Sequence, residues 1–193
     1  MTLRSLFAAV AAVALVAGPA AGGAATPAEH YTAVALGLGG PRSGSVATRV
    51  EMSITRWTTP QQSKALAAAL EDGGPDALLE ALRRQPPVGT INTPGELAYN
   101  LRYAVEEPGE DGGRRILLAT DRPVSYWEQV NQPPVADYPI TFVELRLDDD
   151  GNGVGSLAPA TAAVRTSADG RTIELVNYQT QAIGLKDVRR DSR

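Results

Sequence analysis

Asp148-Asp149-Asp150-Gly151-Asn152-Gly153 places oxygen-bearing side chains at the spacing that a hard cation requires. It fits the opening of a calcium loop, D-x-[DN]-x-[DN]-G, with Asp148, Asp150 and Asn152 as ligands. The loop's twelfth position, which should supply a bidentate carboxylate, is Pro159. The flanking residues alternate like strands rather than helices. The competing reading is an acidic β-turn, in which Asp, Asn and Gly supply turn geometry and positive φ. No cofactor is expected beyond this calcium option.

Carboxylate pairs are the next chemistry to weigh. Glu106-Glu107, Glu110-Asp111, Asp137 and Glu144 could serve a glycosidase-like acid/base pair if two of them faced one cleft. Adjacent strand residues point to opposite faces, so Glu106 and Glu107 cannot pair with each other. The segment Tyr126-Trp127-Glu128-Gln129-Val130-Asn131-Gln132 is the richest recognition candidate. Tyr126 and Trp127 offer flat apolar faces, and Gln129 and Asn131 offer amides for a sugar or peptide. A plainer reading makes Trp127 a plug at one end of the core.

Other chemistry is limited by composition. The chain has no cysteine and one histidine, His30. Thiol catalysis, cysteine-ligated zinc and histidine-rich metal sites are therefore excluded. A serine triad would need His30 beside its nucleophile. The glycines of GLGGPRSGS lack the lysine of a phosphate-binding loop, and no G-x-S-x-G occurs.

The elements that must position these residues begin after a leader. Arg4, the apolar run Leu6–Val16, the break at Gly18-Pro19 and the small residues that follow read as a secretory signal peptide. The best cleavage point is after Ala25, and a retained anchor is the competing reading. An exported, periplasmic or extracellular bacterial protein is expected, with no stable membrane insertion after cleavage. The rest of the 193-residue chain suits one domain held by packing alone. The 22 acidic side chains outnumber 18 basic ones, one of which, Arg4, lies in the leader. That balance argues against nucleic acid as a partner.

Residues 26–45 read as a flexible Gly-rich lead-in with at most a short strand at Tyr31–Leu38, ahead of a single domain over 46–193. Val46–Trp57 alternates as a half-buried strand. Thr59, Pro60 and Gln62 form an N-cap, a first-turn proline and a capping box. Gly73 and then Gly74-Pro75-Asp76 predict a stop and a second helix, ended by Pro86-Pro87. Beyond it, short alternating runs predict strands at 88–91, 97–105, 115–120, 139–147, 161–165, 172–178 and 182–188. Leu97, Tyr99, Leu101, Tyr103 and Val105 are expected to share one face. The predicted fold is α+β, a mainly antiparallel, strongly curved sheet with a two-helix hairpin packed on it. A small β-barrel or sandwich is the alternative.

The run Thr120–Leu147 (TDRPVSYWEQVNQPPVADYPITFVELRL), the DGNGVG turn and the closing Ile173–Arg189 segment resemble a group of uncharacterised exported bacterial proteins. The resemblance covers roughly the C-terminal half and implies export and the domain limits, with no activity to transfer. The sequence favours a non-enzymatic binding or structural role toward a protein, peptide or glycan. A carboxylate-dependent envelope hydrolase and a calcium-stabilised domain are the alternatives.

Overall fold

The computed structural model describes residues 28–37, 46–94, 97–109, 112–122, 140–159, 164–168, 170, 172–175 and 182–191. Eight strands close into an antiparallel barrel. They are β1 (Glu29–Gly37), β2 (Val46–Ile54), β3 (Gly89–Asn92), β4 (Tyr99–Pro108), β5 (Arg114–Thr120), β6 (Thr141–Leu147), β7 (Asn152–Pro159) and β10 (Ile183–Asp191). Chain neighbours pair from β1 to β7, then β7 pairs β10 and β10 pairs β1. The short strands β8 (Val164–Thr166) and β9 (Ile173–Leu175) form a separate antiparallel pair between β7 and β10. The helical segment α1 (Pro60–Arg84) joins β2 to β3.

The expected α+β arrangement is overturned. The sheet is a closed barrel, the architecture held as the alternative, and α1, a helical segment broken at Gly74, lies on its outer wall rather than on an open curved sheet. The closing strand is β1, inside the stretch read as a lead-in. It pairs β2 along its whole length and β10 on its other edge. Its inward side chains are Tyr31, Ala33 and Ala35, all buried. Two alanines facing in, with Val34 and Leu36 on the alternate positions, give a weak hydrophobic alternation. The strand therefore carries little sequence signal.

Inside the barrel, Met52, Ile91, Leu101, Ile116, Leu118 and Leu185 meet in one apolar core at 0–2% exposure. An eight-stranded barrel has an interior just wide enough for side chains to fill. A second core lies outside the wall. There Tyr103, Val105, Leu117 and Phe142 of β4–β6 are covered by Leu66, Leu70, Leu78 and Leu82 of α1. β5 is thus buried on both faces, which explains its unbroken Ile116-Leu117-Leu118-Ala119 run.

The expected single face of Leu97–Val105 does not hold. A register shift between Leu101 and Tyr103 exchanges the faces of β4. Leu101 and Ala104 face the interior, while Tyr103 and Val105 lie under α1. Thr58 supports the irregularity: its hydroxyl accepts from the Ala104 amide at 2.9 Å, and its amide donates to the Ala104 carbonyl at 2.8 Å.

α1 starts as its sequence predicts. The Thr59 hydroxyl accepts from the Gln62 amide, and the Gln62 side chain accepts from the Thr59 amide. The segment breaks at Gly74 (φ 69°, ψ −162°), followed by Pro75. Gln62 and Gln85 hydrogen-bond through their side chains at 3.1 Å. A straight helix would hold them about 35 Å apart, so the chain doubles back at Gly74 and lays leucines from both halves on the wall. That φ/ψ combination is essentially confined to glycine. A Cβ at Gly74 meets no atom within 4 Å, so backbone conformation alone sets the cost of adding one. Gly74→Ala is expected to destabilise the protein by about 1–3 kcal/mol, read as a lowered urea midpoint at unchanged m.

Candidate functional site

Two ion-pair clusters stand on opposite faces of the same wall. The first closes one end of the barrel interior. Glu29 on β1 and Arg114 on β5 come from strands four places apart in the ring of eight, so they meet across its full width. Arg114 Nη2 donates to Glu29 at 3.0 and 3.3 Å. Arg114 also grips Glu106 of β4 as a fork, Nε and Nη2 each 2.7 Å from a carboxylate oxygen. Arg190 of β10 adds a contact to Glu29 at 3.3 Å. The Tyr31 hydroxyl donates to Glu29 and accepts from Arg114.

The Glu29 side chain is only 10% exposed, yet two guanidinium groups and one phenol surround it. Burial, then the hydrogen bond to Glu29 and its charge, push the Tyr31 phenol well above the ordinary tyrosine range. The hydrogen bond to Glu106 holds Arg114 firmly protonated against the opposing effect of burial. Two carboxylates and two guanidinium groups balance. The arrangement caps an apolar core with matched charge, and the phenol donates rather than reacts.

The second cluster lies on the outer face. Glu144 of β6 is 4% exposed, and its Oε1 accepts from Arg115 Nε and Arg146 Nε, both at 2.9 Å. Arg115 also reaches Glu107 at 2.9 Å. Burial pushes the Arg115 guanidinium down, but the bond to Glu144 and the charges of Glu144 and Glu107 outweigh it, and the net shift is upward. Beside this cluster a pocket of about 240 Å³ is lined by Glu144, Arg146, Val154, Gly155, Ser156 and Ala182. Register places Ser156 of β7 directly opposite Glu144.

No protein-family model, curated protein or solved structure matches this chain.

The residues singled out from sequence are distributed as follows. Tyr126, Trp127, Gln129, Asn131 and Asp137 lie outside the described residues, as do Glu110, Asp111 and the leader. Asp148 and Asp150 sit in the β6–β7 turn, and Asn152 is the first residue of β7. Asp148 Oδ1 accepts from the amides of Asp150 (3.0 Å) and Asn152 (2.8 Å), and Gly151 takes φ 81°. The carboxylate thus organises its own turn. Among the described residues no three His, Cys, Asp or Glu side chains are grouped to hold a metal. His30 lies within β1, between Ser53 of β2 and Asp191 of β10. Glu106 and Glu107 do part, one to the barrel end and one to the outer wall.

Sequence reasoning missed Glu29, Tyr31, Arg114, Arg115 and Arg190. A signal was present: the Glu106-Glu107 and Arg114-Arg115 doublets flank one hairpin turn. Opposite doublets at the two ends of a hairpin can pair twice, once on each face of the sheet.

Arg114→Met leaves Glu29 and Glu106 short of their main partner. It is expected to cost about 1–3 kcal/mol in denaturant unfolding, between the effect of an exposed pair and that of a fully buried one, because Glu106 is 40% exposed and Glu29 keeps Arg190. Tyr31 also sets an alkaline limit. Its folded-state pKa exceeds the unfolded value of 10.0, so the native state keeps a proton that the unfolded chain loses. Its contribution is fully present below pH 10 and fades as pH rises toward the folded value. Tyr103, also raised chiefly by burial, acts in the same direction. Stability is therefore expected to fall above about pH 10, by up to roughly 1.4 kcal/mol per pH unit per tyrosine. Tyr31→Phe should flatten that slope when unfolding midpoints are compared between pH 8 and 11.

Proposed function

We propose that this chain is an exported, non-enzymatic binding domain, and that the pocket beside Glu144 on the outer wall is its recognition site. One observation carries the reading. The two most deeply buried carboxylates among the described residues, Glu29 and Glu144, lie in separate clusters on opposite faces of the wall, each already held by two arginines. An acid/base pair must share one cleft. A carboxylate held by two guanidinium groups is instead a fixed acceptor that orients its neighbours. The outer cluster borders a pocket.

Export rests on the leader sequence and on the resemblance of the C-terminal half to exported bacterial proteins. No helix of the described residues is long and apolar enough to cross a membrane. The closed barrel gives the site a rigid support, since every barrel strand is paired on both edges.

The test is equilibrium binding of the protein to fractionated bacterial envelope material, with mass spectrometry of the bound component before and after incubation. Saturable retention at unchanged ligand mass is the expected result. Appearance of a hydrolysis product that vanishes on Glu144→Gln would replace this reading with the hydrolase alternative.

A further inference from the structure

We infer that β1 opens as a unit: it detaches from β2 and β10 while the rest of the barrel stays folded, and Glu29 is the latch that holds it shut. This holds whatever the outer pocket binds.

Burial divides the barrel into a strong side and a weak one. β5 is covered twice. Ile116 and Leu118 fill the interior, and Leu117 and Ala119 lie in the second core, all at 0–3% exposure. β1 is covered once. Apart from Tyr31, its buried inward side chains are Ala33 and Ala35. Each buries little apolar area, so exposing them to water costs little. Among the described residues, the barrel strands that contribute to the second core are β4, β5 and β6, and β1 contributes nothing. On the outer face of β1, Thr32 and Val34 are half-buried and Leu36 is 41% exposed.

Pairing gives the same division. The ladder to β2 is continuous, but the ladder to β10 is interrupted between Thr32 and Val34. Asp187 takes φ 48° at that interruption, the left-handed region that side-chain-bearing residues enter at a cost. Departure of β1 leaves β2 to β7 and β10 as one contiguous sheet, with β6 and β7 still paired beneath the pocket.

The latch is built to release. Glu29 is held by Arg114, Arg190 and the Tyr31 hydroxyl. When Glu29 leaves, Arg114 keeps its two-pronged bond to Glu106, and Arg190, already 45% exposed, returns to water. Glu29 itself regains hydration. No charge is stranded in the apolar interior, which is the main cost of breaking a buried pair. Opening bares the edges of β2 and β10, and so presents the unpaired backbone that closure had removed.

Native-state hydrogen exchange, read by mass spectrometry on the intact protein, tests this. Peptides covering β1 are compared with peptides covering β5, in water and in urea below the unfolding transition. Amides of β1 should exchange at least about a hundredfold faster than those of β5, and their rate should rise less steeply with urea because less surface is exposed. Glu29→Gln removes the latch charge. It should speed exchange about tenfold in β1, and equally in β5, since both openings free Glu29. Ile140→Val weakens the second core, which the opening of β1 leaves intact. It should speed exchange about fivefold in β5 and leave β1 unchanged. One common rate and urea dependence for β1 and β5, or equal acceleration of both by Ile140→Val, overturns the inference: β1 then leaves only when the whole protein unfolds. Exchange in β1 unmoved by Glu29→Gln overturns it as well. If Glu29→Gln fails to fold, the urea series and Ile140→Val decide the outcome.

Discussion

The structure depends on one act of pairing, the insertion of β1 between β2 and β10. A nine-residue strand there removes the last two open edges of the sheet. Closure creates an interior that must be filled, and two ends that must be finished. Medium-sized aliphatic side chains fill it, with Ala33 and Ala35 of β1 making room for larger partners. At one end the apolar filling stops and charge begins, with Glu29 and Arg114 spanning the ring.

That end cluster is better understood as a register device than as a source of net stability. Taking carboxylates and guanidinium groups out of water costs about as much as their attraction returns. Wrong pairings, however, leave a buried charge alone, which is far more costly. Glu29, Glu106, Arg114 and Arg190 sit on four different strands, so only one alignment of β1, β4, β5 and β10 satisfies all of them. In this protein the hypothesis is that charge matching enforces closure in the correct register.

The outer wall follows a gradient along β6. Phe142 lies beneath α1 in the second core, Glu144 is buried but ion-paired, and Arg146 is mostly exposed. The pocket lies where the cover supplied by α1 ends and the exposed face of β7 begins. A polar group there is held in place by neighbours on a rigid sheet, without being sealed from solvent.

Local chemistry was legible in the sequence. Thr59 and Gln62 specify the start of α1, Gly74-Pro75 its break, and Asp148 with Gly151 the β6–β7 turn, because each acts on residues within a few positions of itself. The parting of Glu106 and Glu107 also follows from strand geometry alone. The closure, the exchange of faces in β4 and the composition of both ion-pair clusters were decided by tertiary structure. Glu29 and Arg114 are 85 positions apart and Glu29 and Arg190 are 161 apart. No local pattern couples them. The bulge after Leu101 arises from what lies on both sides of the wall, an apolar interior and the leucines of α1. A strand covered on both faces loses the one-sided alternation from which an inside and an outside are read.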